Sequence, residues 1–496
     1  MAPVGSYADP ALCSCERSRD ELFSLAQAAL HADESDIALF WAEKLVSAAT
    51  ACSEEVSVTP RLSWQARAVL LLGKALFRAR KLRRVEELLR RTNVVSMEGV
   101  TETEWPLLPF QLLLARALQE REAFDEALQV LGGDGFVAAL DRYRCEQGGE
   151  TRGIALDSLL AAQRARALES IGRRPEAIHW LQDALRRDVR NVSASDLLLR
   201  TRMLLPREEE SLIRSLVDNS GSNRNMRNVE GVTVRSTDLA LDFLAAHVAA
   251  HRVDRVDNRK RTRSKSCFHL PTLGQRVRES VGESTSLLLL EAQQARRVFD
   301  TERALSATTT ALLRDAWDLD VLPEHALALL QKGNAASLYH AAHRLLALLP
   351  ERAEAWLCAG AYYLCVGHPE LAAGYLRRAT ELNDLGAVRA TAWILLGRAH
   401  ARCDRSDRAL HAFRVAMQLA PGAYEAPLAA AAELRRDGRL EAAQDYLRMA
   451  EAAAAVSTGP SAPPILASHC VEPALAHERG VQALAQIGAL HARRDS

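Results

Sequence analysis

Two histidines and two cysteines are the first residues to consider for metal binding. His247 and His251 are four residues apart, which places both imidazoles on one face of a helix, as some zinc sites require. No acidic or cysteine companion that would complete such a site lies nearby, so we interpret them as a surface pair without function. Cys13 and Cys15 are too closely spaced for a zinc site, and the sequence contains no glycine-rich phosphate-binding loop. We therefore predict no catalytic, metal-binding or cofactor-binding residue, and a protein that is not an enzyme.

Arginines in the last third of the chain could bind acidic groups. Guanidinium groups bind carboxylates through paired, charge-assisted hydrogen bonds, so a row of arginines in a groove would suit an extended or helical acidic peptide. The alternative is that these arginines are solvated groups at the rim of a groove. The predicted groove residues are Leu357, Ala361, Leu364, Arg398, Arg402, Arg435 and Arg436.

The composition indicates which elements must position these side chains. Of the 496 residues, 48% are hydrophobic and only 5% are aromatic, while Ala, Leu, Arg and Glu, which are strong helix formers, dominate. Lys+Arg and Asp+Glu both number 63, and this balance argues against a nucleic-acid-binding surface. The apolar runs are too short to span a membrane, and the nine scattered cysteines suit a reducing compartment. We predict an all-α fold.

One segment matches the tetratricopeptide pattern, in which two antiparallel helices form a repeating unit. From Ala390 it reads Trp-x2-Leu-Gly-x2-His, then Ala-x3-Phe, and ends with Pro; the segment from Ala353 repeats the scheme. We expect large residues to fill the space between the helices, small residues to allow close approach and the proline to end the second helix. The predicted packing residues are Trp356, Gly360, Tyr363, Ala372, Trp393, Gly397, Ala409, Phe413 and Pro421.

Weaker copies of the unit extend along the chain and predict a right-handed superhelix of stacked helix pairs, an α-solenoid. We expect an N-terminal extension (1–18), an N-terminal array (19–189), irregular helices with a basic insertion (190–284), a central and C-terminal array (285–456), and a loop with a partial repeat (457–496). The weaker copies start near Arg19, Ala66, Leu108, Ser158, Thr285, Leu319, Tyr424 and Pro473.

The region 190–284 interrupts the repeats. We expect a helix from Ser195 to Val217, a flexible loop from Asp218 to Asn228, and a short amphipathic helix from Asp238 to His251. The basic segment Arg252–Lys265 then carries seven Lys or Arg residues. It is typical of a solvated, disordered linker, and the alternatives are a nuclear-import or acidic-partner patch, or an RNA-binding segment.

Several short motifs, in the same order, resemble one family of repeat proteins. The stretch Ile37–Leu45 reads IALFWAEKL, Leu322-Pro323-x-His325 follows in the central repeats, and Tyr362–His368 reads YYLCVGH. Together they are similar to the subunit-six family of the anaphase-promoting complex, which is also called the cell division cycle protein sixteen family.

The resemblance implies a non-catalytic scaffold of a ubiquitin ligase that acts in mitosis and cell division, present in the nucleus and cytoplasm. It implies a homodimer joined through the N-terminal repeats, where Phe40 and Trp41 lie. It also implies contacts with other tetratricopeptide subunits and with small accessory subunits, and no membrane partner. The alternative is a generic adaptor or co-chaperone that binds peptides in its groove, although Leu357 and Ala361 occupy positions where such proteins carry a Lys/Asn clamp.

Overall fold

The structure, a computed structural model, describes residues 10–51, 64–91, 108–132, 136–137, 140–141, 143–144, 154–224, 236–251, 270–298, 300–382 and 387–454. The predictions for the basic segment, the loop after residue 456 and the partial terminal repeat fall outside these ranges. Nearly all of the described chain is helical and none of it is a strand, so the predicted all-α class is confirmed. No helix in these ranges combines the length and apolar character needed to cross a bilayer.

The chain divides into two compact units, Met1–Ala194 and Ser195–Ser496. In the first unit, successive helices pack against each other as antiparallel pairs around a core of Ala and Leu side chains. The first helix begins at Pro10, nine residues before the expected repeat start. The helices of this unit are α1 Pro10–His31, α2 Ser35–Ala51, α3 Trp64–Arg78, α4 Leu82–Arg91, α5 Leu108–Glu120, α6 Phe124–Val130, α7 Leu156–Ile171 and α8 Arg174–Arg187.

A short helix, α9 (Val192–Ser195), crosses the boundary and leads into a π-helical turn at Asp196–Arg200. In the second unit the helices again pack as consecutive pairs. They are α10 Pro206–Arg224, α11 Ser236–His251, α12 Leu270–Val281, α13 Thr285–Arg297, α14 Thr301–Arg314, α15 Val321–Lys332, α16 Ala335–Leu348, α17 Ala353–Val366, α18 Pro369–Glu381, α19 Ala387–Arg402, α20 Ser406–Leu419, α21 Glu425–Arg436 and α22 Leu440–Ala454.

Small residues bring the two helices of a pair together at the positions the repeat pattern marks. A Cβ atom on Gly397 would overlap the ring of Phe413 on the next helix, and a Cβ on Gly360 would overlap Leu376. Ala409 on α20 is fully buried, as is Ala372 on α18. The glycines therefore set the distance between paired helices.

The large repeat residues contact the second helix of their own repeat and the end of the preceding repeat. The Nε1 of Trp356 donates a hydrogen bond of 2.7 Å to the carbonyl of Pro350, and Tyr363 stacks on Tyr375 with ring centroids 4.9 Å apart. Trp393 is half-buried, and Pro421 follows the end of α20 by two residues.

The structure differs from the sequence prediction between Ser195 and Asn228. The chain leaves the helix at Thr201 and re-enters it at Pro206, whose fixed φ suits the first turn of a helix. Helix α10 then continues to Arg224, so the expected loop is helical over 218–224. The predicted amphipathic helix that ends at His251 is present.

Candidate partner-binding chamber

Three of the predicted groove residues lie in the core instead. Leu357 and Ala361 are fully buried, and Leu364 is nearly so. All three belong to the hydrophobic cluster that joins the five helices from α15 to α19. Apolar side chains at these positions gain more from packing against the neighbouring repeats than from facing water. The structure therefore corrects the groove prediction at these residues.

Two of the predicted groove arginines hold adjacent repeats together. Arg402 donates a hydrogen bond of 2.5 Å to the carbonyl of Leu364, one repeat earlier. Arg436 donates to the carbonyl of Ala401 at 2.9 Å and pairs with Glu433 at 2.6 Å. Arg435 is half-buried, and burial lowers its pKa.

The fourth arginine, Arg398, lines a cavity of about 70 Å³ inside the second unit, which we call the chamber. Its wall is formed by the segment 200–202 and by residues of α11, α13, α15, α19 and α21. Its apolar part includes Leu327, Ile394 and Leu395. Its charged part consists of Arg200, Arg202, Arg296, Arg398, Glu324 and Glu425.

A set of contacts across more than two hundred residues joins two parts of the chamber wall. The backbone N–H of Gly422 donates to the carbonyl of Arg202 at 3.1 Å, and the Arg202 guanidinium lies 3.2 Å from Glu425. A Cβ on Gly422 would overlap the carbonyl of Leu204, so only glycine allows this approach. We call these contacts the clasp, because they join the start of the second unit to α21.

Ion pairs continue from the clasp along the chamber wall. Arg296 lies 2.8 Å from Glu324 and 3.8 Å from Glu425, and Arg200 donates to Asp320 at 3.0 Å. Burial opposes the ionisation of Glu425, but the charges of Arg202, Arg296 and Arg297 outweigh it and lower its pKa to about 2. Glu425 is therefore a carboxylate at neutral pH and stabilises the clasp.

The structure also corrects the interpretation of the histidine pair. His247 and His251 are buried, their rings are 4.9 Å apart, and Nδ1 of His251 lies 3.1 Å from the carboxyl group of Glu209 on α10. Burial and nearby positive charge lower the pKa of both imidazoles, and burial raises the pKa of Glu209 to about 8. At neutral pH the proton therefore lies on Glu209, which donates to His251.

Glu209 is thus the acidic companion that the sequence did not reveal. It lies 42 residues before His251, and no local sequence pattern links it to the histidines. In the described ranges, no group of three or more His, Cys, Asp or Glu side chains could hold a metal ion. The cluster is an internal hydrogen-bonded contact between α10 and α11.

Arg297 is a further buried arginine and lies next to the histidine pair. Arg297 is only 3% exposed and donates to the carbonyl of Ala250 at 3.0 Å. Within the described part of the chain, its Nε and Nη2 atoms have no hydrogen-bond partner. Burial and the charge of Arg202 lower its pKa to about 9, so it is still a cation at neutral pH.

The predicted dimer residues belong to the first unit. Phe40 on α2 is 52% exposed, and Lys44 covers part of its ring. Trp41 is half-buried and packs on the core of that unit. Phe40 is thus accessible to a partner, whereas Trp41 mainly supports its own repeat.

Comparison with known proteins shows which proteins this chain is similar to. No family model matches the chain. Anaphase-promoting complex subunit 6 of Arabidopsis thaliana is 25% identical over 397 residues, which cover 77% of this chain and 67% of the relative. The chain is a homologue of anaphase-promoting complex subunit 6. The cell division cycle protein 16 homolog of Homo sapiens is 24% identical over 78% of this chain and 56% of its own length.

A fungal relative and a solved structure are also similar to this chain. The subunit cut9 of Schizosaccharomyces pombe is 30% identical over 169 residues. A crystal structure of the anaphase-promoting complex hetero-tetramer Cut9–Hcn1 matches 96% of this chain and 79% of the solved chain, with a TM-score of 0.69 at 19% identity. The predicted tetratricopeptide-repeat fold is confirmed by this match. The chain spans about two thirds of the Arabidopsis relative and just over half of the human relative.

Proposed function

We propose that this chain is a non-catalytic scaffold subunit of an anaphase-promoting complex, a ubiquitin ligase of the cell cycle. The observation that carries the proposal is the alignment with Arabidopsis subunit 6 over 77% of the chain, which includes repeats of both units. Helix pairs that contact only their neighbours present extended surfaces, and scaffolds use such surfaces to hold other proteins.

The proposed partners are a second copy of the chain, other tetratricopeptide subunits and a small accessory subunit. The solved relative is a hetero-tetramer of Cut9 and Hcn1, which supports both a paired repeat subunit and a second kind of chain. The chamber supports such a contact in the second unit, because charged and apolar side chains line it together.

We assign the self-contact to the N-terminal repeats, where Phe40 is exposed. Phe40→Glu should convert the dimer to a monomer, because a carboxylate in an apolar interface would lose its hydration without a partner. Leu313→Glu is the matched control, since Leu313 lies in the other unit and is 87% exposed. Size-exclusion chromatography with light scattering measures the molecular mass of the parent protein and of both variants. A monomeric parent protein, or equal effects of both variants, would contradict the assignment.

Rapid depletion of the chain in its own cells tests the scaffold function. Loss of an essential ligase subunit should arrest cells before anaphase and stabilise mitotic cyclins. Unchanged progression and cyclin turnover would contradict the proposal. The proposal also places the protein in the nucleus and cytoplasm, which imaging of a tagged chain checks.

A further inference from the structure

We propose that the first unit binds an acidic segment of a partner protein through three cations, Lys74, Arg116 and Arg166, which we call the cation row. The inference rests on the proposed scaffold function and specifies the chemistry of one partner. The row belongs to the first helices of its repeats, whereas Phe40 lies on α2, the second helix of its pair.

The three cations occupy one position in successive repeats. Lys74 lies on α3, Arg116 on α5 and Arg166 on α7, each as the ninth residue counted from the expected start of its repeat. The first helices of stacked pairs line the concave side of a solenoid, so the row faces one groove. Ala361, at the same position in the second unit, is buried. Lys74 and Arg166 are exposed and Arg116 is half-buried, so the row is accessible to a guest.

Contacts between the first helices hold the row together. A Cβ atom on Gly73 would overlap a methyl group of Leu113, so α3 and α5 approach closely at the residue that precedes the lysine. Gln119 donates a hydrogen bond of 2.7 Å to the carbonyl of Gln163 and thereby joins α5 to α7. Packed helices lie roughly 8–10 Å apart, so neighbouring cations of the row are separated by about the same distance.

The members of the row repel one another. Burial, reinforced by the charge of Arg116, lowers the pKa of Lys74. Burial, reinforced by the charge of Arg166, lowers the pKa of Arg116. In the described ranges none of the three forms an ion pair with a carboxylate, and no carboxylate offsets these two shifts. An anionic guest would relieve the repulsion and is therefore favoured electrostatically.

Acids close to the row along its helices already have other partners. Glu120 on α5 lies 2.9 Å from Arg80, and Glu169 on α7 lies 3.1 Å from Arg174. Arginines elsewhere in the first unit also pair with carboxylates outside their own helix. The row differs from them, because its cations face each other instead of carboxylates.

The spacing of the row defines the guest. A segment in the polyproline II conformation has three residues per turn and rises about 3.1 Å per residue, so side chains three residues apart point the same way at intervals of about 9 Å. Acidic side chains at every third position would therefore each meet one cation. Arg116 and Arg166 can bind carboxylates in paired geometry, and Lys74 adds a point charge. Three cations are fewer than the roughly six or more phosphate contacts of a strong nucleic-acid site, so an acidic peptide is the guest.

A fluorescein-labelled peptide tests the proposal on the full-length chain. The probe carries four glutamates, one at every third position, separated by Pro and Ser residues that favour the polyproline II conformation. In fluorescence anisotropy its binding should weaken with salt, and the form with Gln in place of each Glu should bind at least about tenfold more weakly, or 1.4 kcal/mol. A peptide of the same composition with its four glutamates adjacent should also bind more weakly, because it cannot meet all three cations.

A triple variant links the binding to the row. Lys74→Gln, Arg116→Gln and Arg166→Gln together should abolish peptide binding without lowering the unfolding temperature, because the removed groups repel each other. The matched control removes the same charge from ion pairs of the same unit and should bind like the parent protein; it combines Arg80→Gln, Arg84→Gln and Arg90→Gln.

Several outcomes would overturn the proposal. They are equal binding of the Glu and Gln peptides, a row variant that binds like the parent protein, a row variant with a lower unfolding temperature than the control, or tighter binding of a single-stranded RNA than of the peptide. Conversion of a dimer to a monomer by the row variant alone would assign the row to a second copy. Peptide binding that requires Glu98→Gln, Glu102→Gln and Glu104→Gln would assign it to the chain's own acidic residues, and either result also overturns the proposal.

The peptide assay uses the purified chain, so its failure is distinguishable from failure of the scaffold function. If the peptide does not bind but ligase subunits still co-purify with the parent protein, the row chemistry is refuted and the scaffold function remains. If no ligase subunit co-purifies with the parent protein, the scaffold function itself fails.

Discussion

Replacing Glu209 by Gln should remove a pH dependence of stability that originates in the buried contact with His251. The pKa of Glu209 is raised from 4.5 to about 8 by burial. The folded protein therefore keeps a proton that the unfolded chain releases, and folding stability falls as the pH rises from about 4.5 to about 8. Below pH 6.5 the histidines act in the opposite direction, since their lowered pKa values make stability rise with pH.

Between pH 6.5 and 8 the difference between the parent protein and Glu209→Gln isolates the carboxyl group, because the histidines still titrate in the unfolded chain near pH 6.5 and contribute equally to both proteins. Over these roughly 1.5 pH units the carboxyl group should lower the stability of the parent protein by about 1.6 kcal/mol relative to the variant, since it is half ionised at pH 8. In Glu209→Gln the amide can donate to His251 without titrating, so its stability should not fall over this interval. Because repeats open locally, the assay is hydrogen exchange of α10 and α11, which reports the free energy of opening this region.

Glu210→Gln is the control for this prediction. Glu210 is the next residue of α10 and forms an (i, i+4) ion pair with Arg214, which contributes little to stability. Its variant should keep the pH dependence of the parent protein. A parent protein whose α10 and α11 are equally protected at pH 6.5 and pH 8, or a Glu209→Gln variant that loses protection like the parent, would refute the reasoning.

Three further predictions concern packing and the clasp. Gly397→Ala should cost about 1–3 kcal/mol by overpacking against Phe413, whereas Gly374→Ala, which meets no atom within 4 Å, should be neutral or stabilising in thermal unfolding. Trp393→Ala should cost on the order of 3–5 kcal/mol and should increase hydrogen exchange in the flanking repeats before distant ones; a uniform loss of protection would contradict the repeat architecture. The pKa of Glu425, lowered from 4.5 to about 2, supplies stability that is present above pH 4.5 and is lost as the pH falls toward 2. Acid titration should therefore destabilise the parent protein by about 3 kcal/mol more than Glu425→Gln, and identical acid profiles would argue against the clasp.

Local patterns were sufficient to predict the repeats. The register found at Trp393 and Gly397 extends to helices that begin at or close to the expected positions, such as Leu108 and Thr285. These positions can be recognised because the contacts between the two helices of one repeat join residues less than a repeat apart. The small residues and the helix-ending proline are therefore visible in one sequence.

The chamber could not be predicted from sequence, because closure of the second unit brings its wall together. Arg202 and Glu425 are separated by 223 residues, and no periodicity connects them. The groove prediction failed at Leu357 for a related reason. Position within a repeat indicates which helix carries a residue, but only packing against the neighbouring repeats decides whether its side chain faces a ligand or the core.

The composition of the native assembly tests the central claim most directly. A tagged chain, purified from its own cells under mild conditions and analysed by quantitative mass spectrometry, should recover the cullin and RING subunits of an anaphase-promoting complex in near-stoichiometric amounts. Recovery of the chain alone, or with chaperones in place of ligase subunits, would contradict the account.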